Sequence, residues 1–204
     1  MTTDLEQLFE RHRGYLTRKQ VEAAGLKPHL LTQAVRAGQI ERIQPGVYRQ
    51  LEAPLQNHED VLEVQLRIPY AVLCLGSALA FHGLTTYLPK WVEIAVPQKS
   101  RPPALNYPAI QVHYFSDRTY RYGLEQHDHF GHTLKVYSPE KTLVDLFRFR
   151  GQLGQELFAE GLKNYLNRRQ PRPSIPKLLE AARVARVEGR LRSLLEVVAA
   201  EPTL

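Results

Sequence analysis

The apolar residues of this chain change period several times along its length, and each change marks an element. Over residues 4–12, Leu5, Leu8 and Phe9 recur at helical spacing, and Gly14 predicts the end of that helix. Thr17 is followed three residues later by Gln20, a capping-box pair in which each side chain can satisfy a free backbone N–H. A second helix is therefore expected over 18–24, with a stop at Gly25. Lys27-Pro28-His29 opens a third helix that runs to about Ala37 and stops at Gly38. On it, Leu31, Ala34 and Val35 share one face, and His29, Gln33 and Arg36 share the opposite one. Segment 39–50 alternates, and Pro45-Gly46 predicts a turn between two short strands. Three short helices and a hairpin within 50 residues make the pattern of a winged helix-turn-helix.

Residues 51–57 read as a linker. A helix is expected over 58–67, with Val61, Leu62 and Leu66 on its apolar face. Ser77 then reads as the N-cap, and Gly83 as the stop, of a short helix. Segments 91–96 and 110–115 alternate as strands across a proline-rich loop. Segments 124–129 and 133–137 form a hairpin around Phe130-Gly131-His132. Ser138-Pro139 opens a helix to about Arg148, striped by Leu143, Leu146 and Phe147. Further helices are expected over about 153–167, 176–187 and 189–200. The expected fold class is α+β. A winged helix-turn-helix over 1–50 and a linker over 51–57 precede a mixed α/β domain over 58–204, which ends in a helical tail from 153.

Charge adds a partner to this picture. The net charge is +6, and its distribution is uneven. Residues 1–50 carry 8 basic and 5 acidic side chains, residues 51–150 carry 10 of each, and residues 151–204 carry 9 and 6. A basic first segment on a winged scaffold points to a polyanion. The face bearing His29, Gln33 and Arg36 holds donors and no carboxylate, which suits a major-groove probe. Arg pairs with guanine, Gln with adenine, and His with base or phosphate. Lys27 and Thr32 flank that face. Arg18, Lys19, Lys27, Arg42 and Arg49 are expected mainly to hold phosphates, and Gln44 lies with Arg42 and Arg49 on a hairpin that can reach backbone or minor groove. The expected partner is double-stranded DNA. One such module reads few base pairs, so a monomer or weak dimer acting cooperatively on DNA is expected.

No apolar run approaches the ~18 residues of a membrane span, so no membrane partner is expected. The opening MTTDLEQLFE lacks the basic-then-apolar pattern of a secretory leader, and a cytoplasmic location is expected. Cys74 is the single cysteine, which excludes an intrachain disulfide and cysteine-rich zinc modules.

Catalytic and metal chemistry find little support. His127, His129 and His132 have a spacing that nitrogen ligands of zinc or nickel can use. No further ligand is identifiable, so the segment reads as a polar hairpin tip, with no metal and no cofactor expected. Ser77 and His82 could pair as nucleophile and base. Five positions apart on one short helix they point away from each other, so a cap and a hydrogen-bonded core histidine are expected instead. Asp145 reads as a partly buried carboxylate bonded to an arginine or to backbone. Glu-x-Lys, GxGxxG, a phosphate loop and GxSxG are all absent from the sequence, and an enzyme acting on nucleic acid is the least supported class. Arg183, Arg186 and Arg190 lie at i, i+3 and i+7 and can form a basic stripe; the alternative is a solvated face with i,i+4 pairs such as Arg192–Glu196.

The motifs also resemble a known family. Gly14-Tyr15-Leu16-Thr17, Gly25-Leu26, Gly38 and Pro45-Gly46-Val47-Tyr48 are similar to the winged module of the AbiEi family. That family comprises antitoxins and transcriptional regulators of type IV toxin–antitoxin systems. Ser77-Ala78-Leu79 with His82-Gly83-Leu84, strand 92–96, and the run from Val136 to Asp145 resemble its later elements. The resemblance covers most of residues 14–150. It implies a winged domain that binds inverted repeats upstream of its own gene, and a second domain that opposes a nucleotidyltransferase toxin. In that second domain, Ser77, His82, Asp145, Arg183, Arg186 and Arg190 are the candidates. The alternatives are a stand-alone regulator, or an interaction module whose winged domain contacts protein.

Overall fold

The fold is given by a computed structural model that describes residues 3–52, 58–129, 131–153 and 155–200. It is α+β, with an N-terminal winged helix-turn-helix followed by a mixed α/β domain that ends in helices. The chain divides into two units, residues 1–67 with 128–134, and residues 68–127 with 135–204. Most of the segment read as a linker, 53–57, lies outside the described residues, as does Phe130.

The first unit holds α1 (Thr3–Arg11), β1 (Tyr15–Thr17), α2 (Arg18–Ala23), α3 (His29–Arg36), β2 (Ile40–Gln44), β3 (Val47–Gln50) and α4 (Glu59–Arg67). The capping box at α2 forms as expected. Thr17 Oγ1 accepts the Gln20 N–H at 3.3 Å, and Gln20 Oε1 accepts the Thr17 N–H at 2.7 Å. β1 was not expected. It becomes the third strand of the wing, pairing antiparallel with β3 so that Tyr15 faces Arg49 and Thr17 faces Val47. Leu5, Phe9, Leu16, Val21, Leu31, Ala34 and Ile40 are buried and close the core beneath the three helices.

The second unit follows with β4 (Val72–Leu73), α5 (Leu75–Phe81), β5 (Val92–Pro97), β6 (Ile110–Phe115), α6 (Asp117–Arg121), β7 (Leu124–His129), β8 (His132–Tyr137), α7 (Pro139–Leu153), α8 (Glu156–Asn167), α9 (Ile175–Val184) and α10 (Glu188–Ala200). The tip of the β7–β8 hairpin, residues 128–134, counts with the first unit. The five-stranded sheet has the order β6-β5-β4-β8-β7. In it β5 is parallel to β6 and antiparallel to β4, and β4 is parallel to β8. α7 packs against α5, α8 and α9. Its residues 139–147 are all buried, so it is covered on every side rather than along one stripe.

Several helix boundaries differ from expectation. α7 continues to Leu153 instead of stopping near Arg148, and α8 starts at Glu156. α5 starts at Leu75 with Cys74 in the cap position, so Ser77 lies inside the helix and is not its cap. Its hydroxyl is used between elements instead. It donates to Trp91 O at 3.3 Å and accepts the Glu93 N–H at 2.9 Å, and this ties α5 to the start of β5. Among the described residues, no helix is long and apolar enough to cross a membrane.

Candidate nucleic-acid interface

The two faces of α3 separate as its spacing predicts. Leu31 and Ala34 are buried and Val35 packs against the same core, while Lys27, His29, Thr32, Gln33 and Arg36 are exposed. Among the described residues, no hydrogen bond or ion pair occupies any of these five side chains, so their donors are open to a ligand. Arg18 and Lys19 are exposed at the start of α2. Arg18 pairs with Glu22 at 2.8 Å across one exposed helical turn. A crevice of about 470 Å³ runs between this helix start and the wing turn, lined by Thr17, Arg18, Lys19, Glu22, Pro45 and Gly46.

The wing is divided in its chemistry. Arg42 is exposed and makes only a 3.4 Å hydrogen bond to Gln44 O. Gln44 turns inward and donates through Nε2 to Leu66 O. Arg49 donates through Nε to Glu41 at 2.6 Å and lies 3.6 Å from the buried carboxylate of Glu63. Burial pushes the Glu63 carboxyl above its ordinary range, against the pull of Arg67 and Arg49. Arg49 and Gln44 are thus engaged within the unit. The hairpin register carried the signal for Arg49, because Glu41 and Arg49 are direct cross-strand partners.

The histidine segment is not a solvated tip. His132 is 6% exposed, and its Nε2–H donates to Tyr15 O at 3.1 Å. Its ring meets His12 edge-on, with centroids 5.4 Å apart. Gly131 has φ +79°, and a Cβ there would come within 2.6 Å of the His12 ring, so the close approach requires glycine. His129 packs against His58 at 6.4 Å, while His127 bonds to Glu125 at 3.3 Å and packs on Phe81. Burial lowers the pKa of His132, of His129 and of His58. Among the described residues, no group of three His, Cys, Asp or Glu could hold a metal ion.

Ser77, His82, Asp145 and Arg183 of the second unit have structural partners. His82 bonds through Nε2 to Tyr137 O at 2.7 Å, the hydrogen-bonded histidine that was expected, and burial lowers its pKa. Ser77 and His82 make no relay, because each is bonded elsewhere. Asp145 is fully buried rather than partly, and its partner is Lys141 rather than an arginine. The arginine stripe does not form on one helix. α9 ends at Val184, Arg186 sits at φ +61° between helices, and Arg190 belongs to α10. Arg183 and Arg192 both pair with Glu188 at 3.0 Å, in place of an Arg192–Glu196 pair.

A three-stranded wing sheet, a three-helix core and a solvent-facing polar α3 define the first unit as a winged-helix module. Residues 4–49 match the sequence profile of the family described as transcriptional regulator, AbiEi antitoxin, which bears out the resemblance in that module. No curated protein matches the chain. The crystal structure of the RV2827C protein from Mycobacterium tuberculosis is similar over 91% of this chain and 74% of its own, with 15% identity and a TM-score of 0.54. At that identity the likeness concerns the fold.

Proposed function

We propose that the chain is a non-enzymatic DNA-binding regulator. In this reading it represses its own operon through the winged module, and its second domain counteracts a nucleotidyltransferase toxin in the cytoplasm. The observation that carries the DNA half is the exposed face of α3, which presents His29, Gln33 and Arg36 with no internal partners on a winged scaffold. Arg36 and Gln33 read base edges, and Lys27, Arg18, Lys19 and Arg42 hold phosphates. His82, Ser77 and Asp145 are committed to hydrogen bonds or ion pairs within the second unit, and this supports a non-catalytic domain.

The test is a gel-shift titration with DNA upstream of the gene against scrambled DNA, at two salt concentrations. A preference of about 10³-fold that survives the higher salt is expected. Arg36→Ala relaxes the preference, whereas Lys27→Ala weakens binding to both DNAs alike and flattens the salt slope. Equal, salt-labile binding to both DNAs would overturn the reading in favour of a protein-contacting module. The antitoxin half is tested by co-expression with a nucleotidyltransferase encoded beside the gene, where relief of growth arrest is expected. Arrest that persists would leave a stand-alone regulator.

A further inference from the structure

The second unit carries a cavity of about 520 Å³ whose chemistry the DNA-binding reading does not use. Tyr87 and Trp91 wall it, each about two-fifths exposed, and Glu93, Glu156, Glu160 and Gln111 line it. None of its lining residues is basic. Glu160 is fixed in place, since its carboxylate accepts from Thr85 Oγ1 at 2.8 Å and from the Thr86 N–H at 2.8 Å. These bonds hold its pKa below the ordinary carboxylate range, so it stays charged. Glu93 is 5% exposed, and its Oε2 accepts the Ser77 N–H at 3.1 Å. A Cβ at Gly76 would come within 2.7 Å of that oxygen and 3.2 Å of the Tyr87 ring, so the wall is closely fitted. Carboxylates beside aromatic faces are the surroundings that a guanidinium or an alkylammonium group seeks.

A separate feature lies along the same face. β6 is an edge of the five-stranded sheet. Val92 N–H donates to Ala109 O, and Gln98 N–H donates to Phe115 O. This phase turns the backbone of residues 109, 111, 113 and 115 toward β5. Ile110, Val112 and Tyr114 therefore offer their N–H and C=O groups outward. Glu93 and Gln111 are register partners, so both side chains stand on the cavity face. A strand laid on this edge would send alternate side chains to that face.

We propose that the edge and the cavity together form a docking site for an extended segment of a partner protein. The segment adds beside β6 and places an arginine or lysine side chain among Glu93, Glu156 and Glu160. Charge complementarity selects this occupant over a second copy, because the residues β6 itself brings to that face, Gln111 and His113, carry neither an ammonium nor a guanidinium group. The inference does not depend on the DNA-binding reading, and its test contains no DNA.

The experiment is fluorescence anisotropy with the full chain and a labelled synthetic peptide of alternating valine and arginine, against one of alternating valine and glutamate, at about 150 mM salt. The arginine peptide is expected to bind and the glutamate peptide is not. Glu156→Lys, at an exposed position, reverses charge at the cavity and should weaken binding about tenfold or more. Val112→Pro removes an outward donor and leaves the ladder to β5 intact, so it should abolish binding with the fold retained by circular dichroism. If that variant fails to fold, Glu156→Lys decides the outcome. No binding of the arginine peptide, equal binding of both peptides, or unchanged affinity in Glu156→Lys or in a folded Val112→Pro would overturn the proposal. So would full displacement by free arginine, which would make the cavity a small-cation site. Self-association of the chain that Val112→Pro removes would assign the edge to a second copy.

Discussion

Lys141 is 1% exposed, which is costly for an ammonium group unless its charge is answered. Three groups answer it. It donates to Asp145 Oδ2, and its Nζ lies 4.7 Å from the centre of the Phe115 ring and 4.5 Å from that of Tyr137. Burial pushes the Asp145 carboxyl up and the Lys141 charge pulls it down, with a net rise. Removing one partner of such a pair strands the other, while removing both does not. Lys141→Met should therefore cost about 3–5 kcal/mol in urea unfolding, and adding Asp145→Leu should recover most of it. A double variant as unstable as the single one would show that the ion pair is not the cause. The i,i+4 spacing of Lys141 and Asp145 is visible in the sequence, but their burial is not. The apolar stripe of α7 names one face, and only the packing of three other helices covers the rest.

At the scale of elements, structure set by neighbouring residues is legible in the sequence, and structure set by distant pairing is less so. The α2 capping box, the wing turn and the two faces of α3 follow from residues within one or two turns of each other. β1 and α6 are three and five residues long, too short for any period to register. β1 exists because β3 offers it an edge. The β7–β8 tip shows the same limit, since three histidines in a polar-looking loop gave no sign that one would be buried. His132 has a folded pKa below its ordinary 6.5, mainly through burial. Above about pH 6.5 the ring is neutral in both folded and unfolded chains, and its contribution is fully present. As pH falls further, the unfolded chain takes up a proton that the folded one resists, and stability is lost. The melting temperature should decline from about pH 7 to about pH 5, and less steeply in His132→Gln. An equal decline in both proteins would remove His132 from the account.

For the whole molecule, the total of +6 was a weaker guide than the location of free charge. Lys19, Lys27, Arg36 and Arg42 are exposed in the first unit, as is Arg18 in its exposed pair with Glu22, whereas Arg49 is held by Glu41 and the buried Glu63. If each of these five cations neutralises a phosphate at about 0.9 per contact, log K should fall with log salt at a slope of up to about −4.5. Arg49→Ala should lower stability and leave that slope unchanged. A slope that flattened with Arg49→Ala would place this side chain on the phosphates. The sequence pattern made the succession of α and β elements legible. The hairpin register points to the Arg49–Glu41 pair, but nothing in the pattern shows the contact of Arg49 with Glu63, which joins the two across an unpatterned stretch.

The make-up of the first unit also bears on heredity. The family profile covers residues 4–49, yet the folded unit extends to residue 67 and includes 128–134. A gene fragment bounded by the matched stretch would encode α3 without α4, and without the loop that lodges His132 against Tyr15 O. Such a module is not a portable cassette, because no single crossover transfers it whole. The side-chain fit that ties the two stretches is that of His12 against Gly131 and His132; Tyr15 and Gly131 take part in the other contacts through their main-chain carbonyls. In the proposed DNA-binding reading, a change of specificity then falls on the outer face of α3, where the side chains answer to no internal partner.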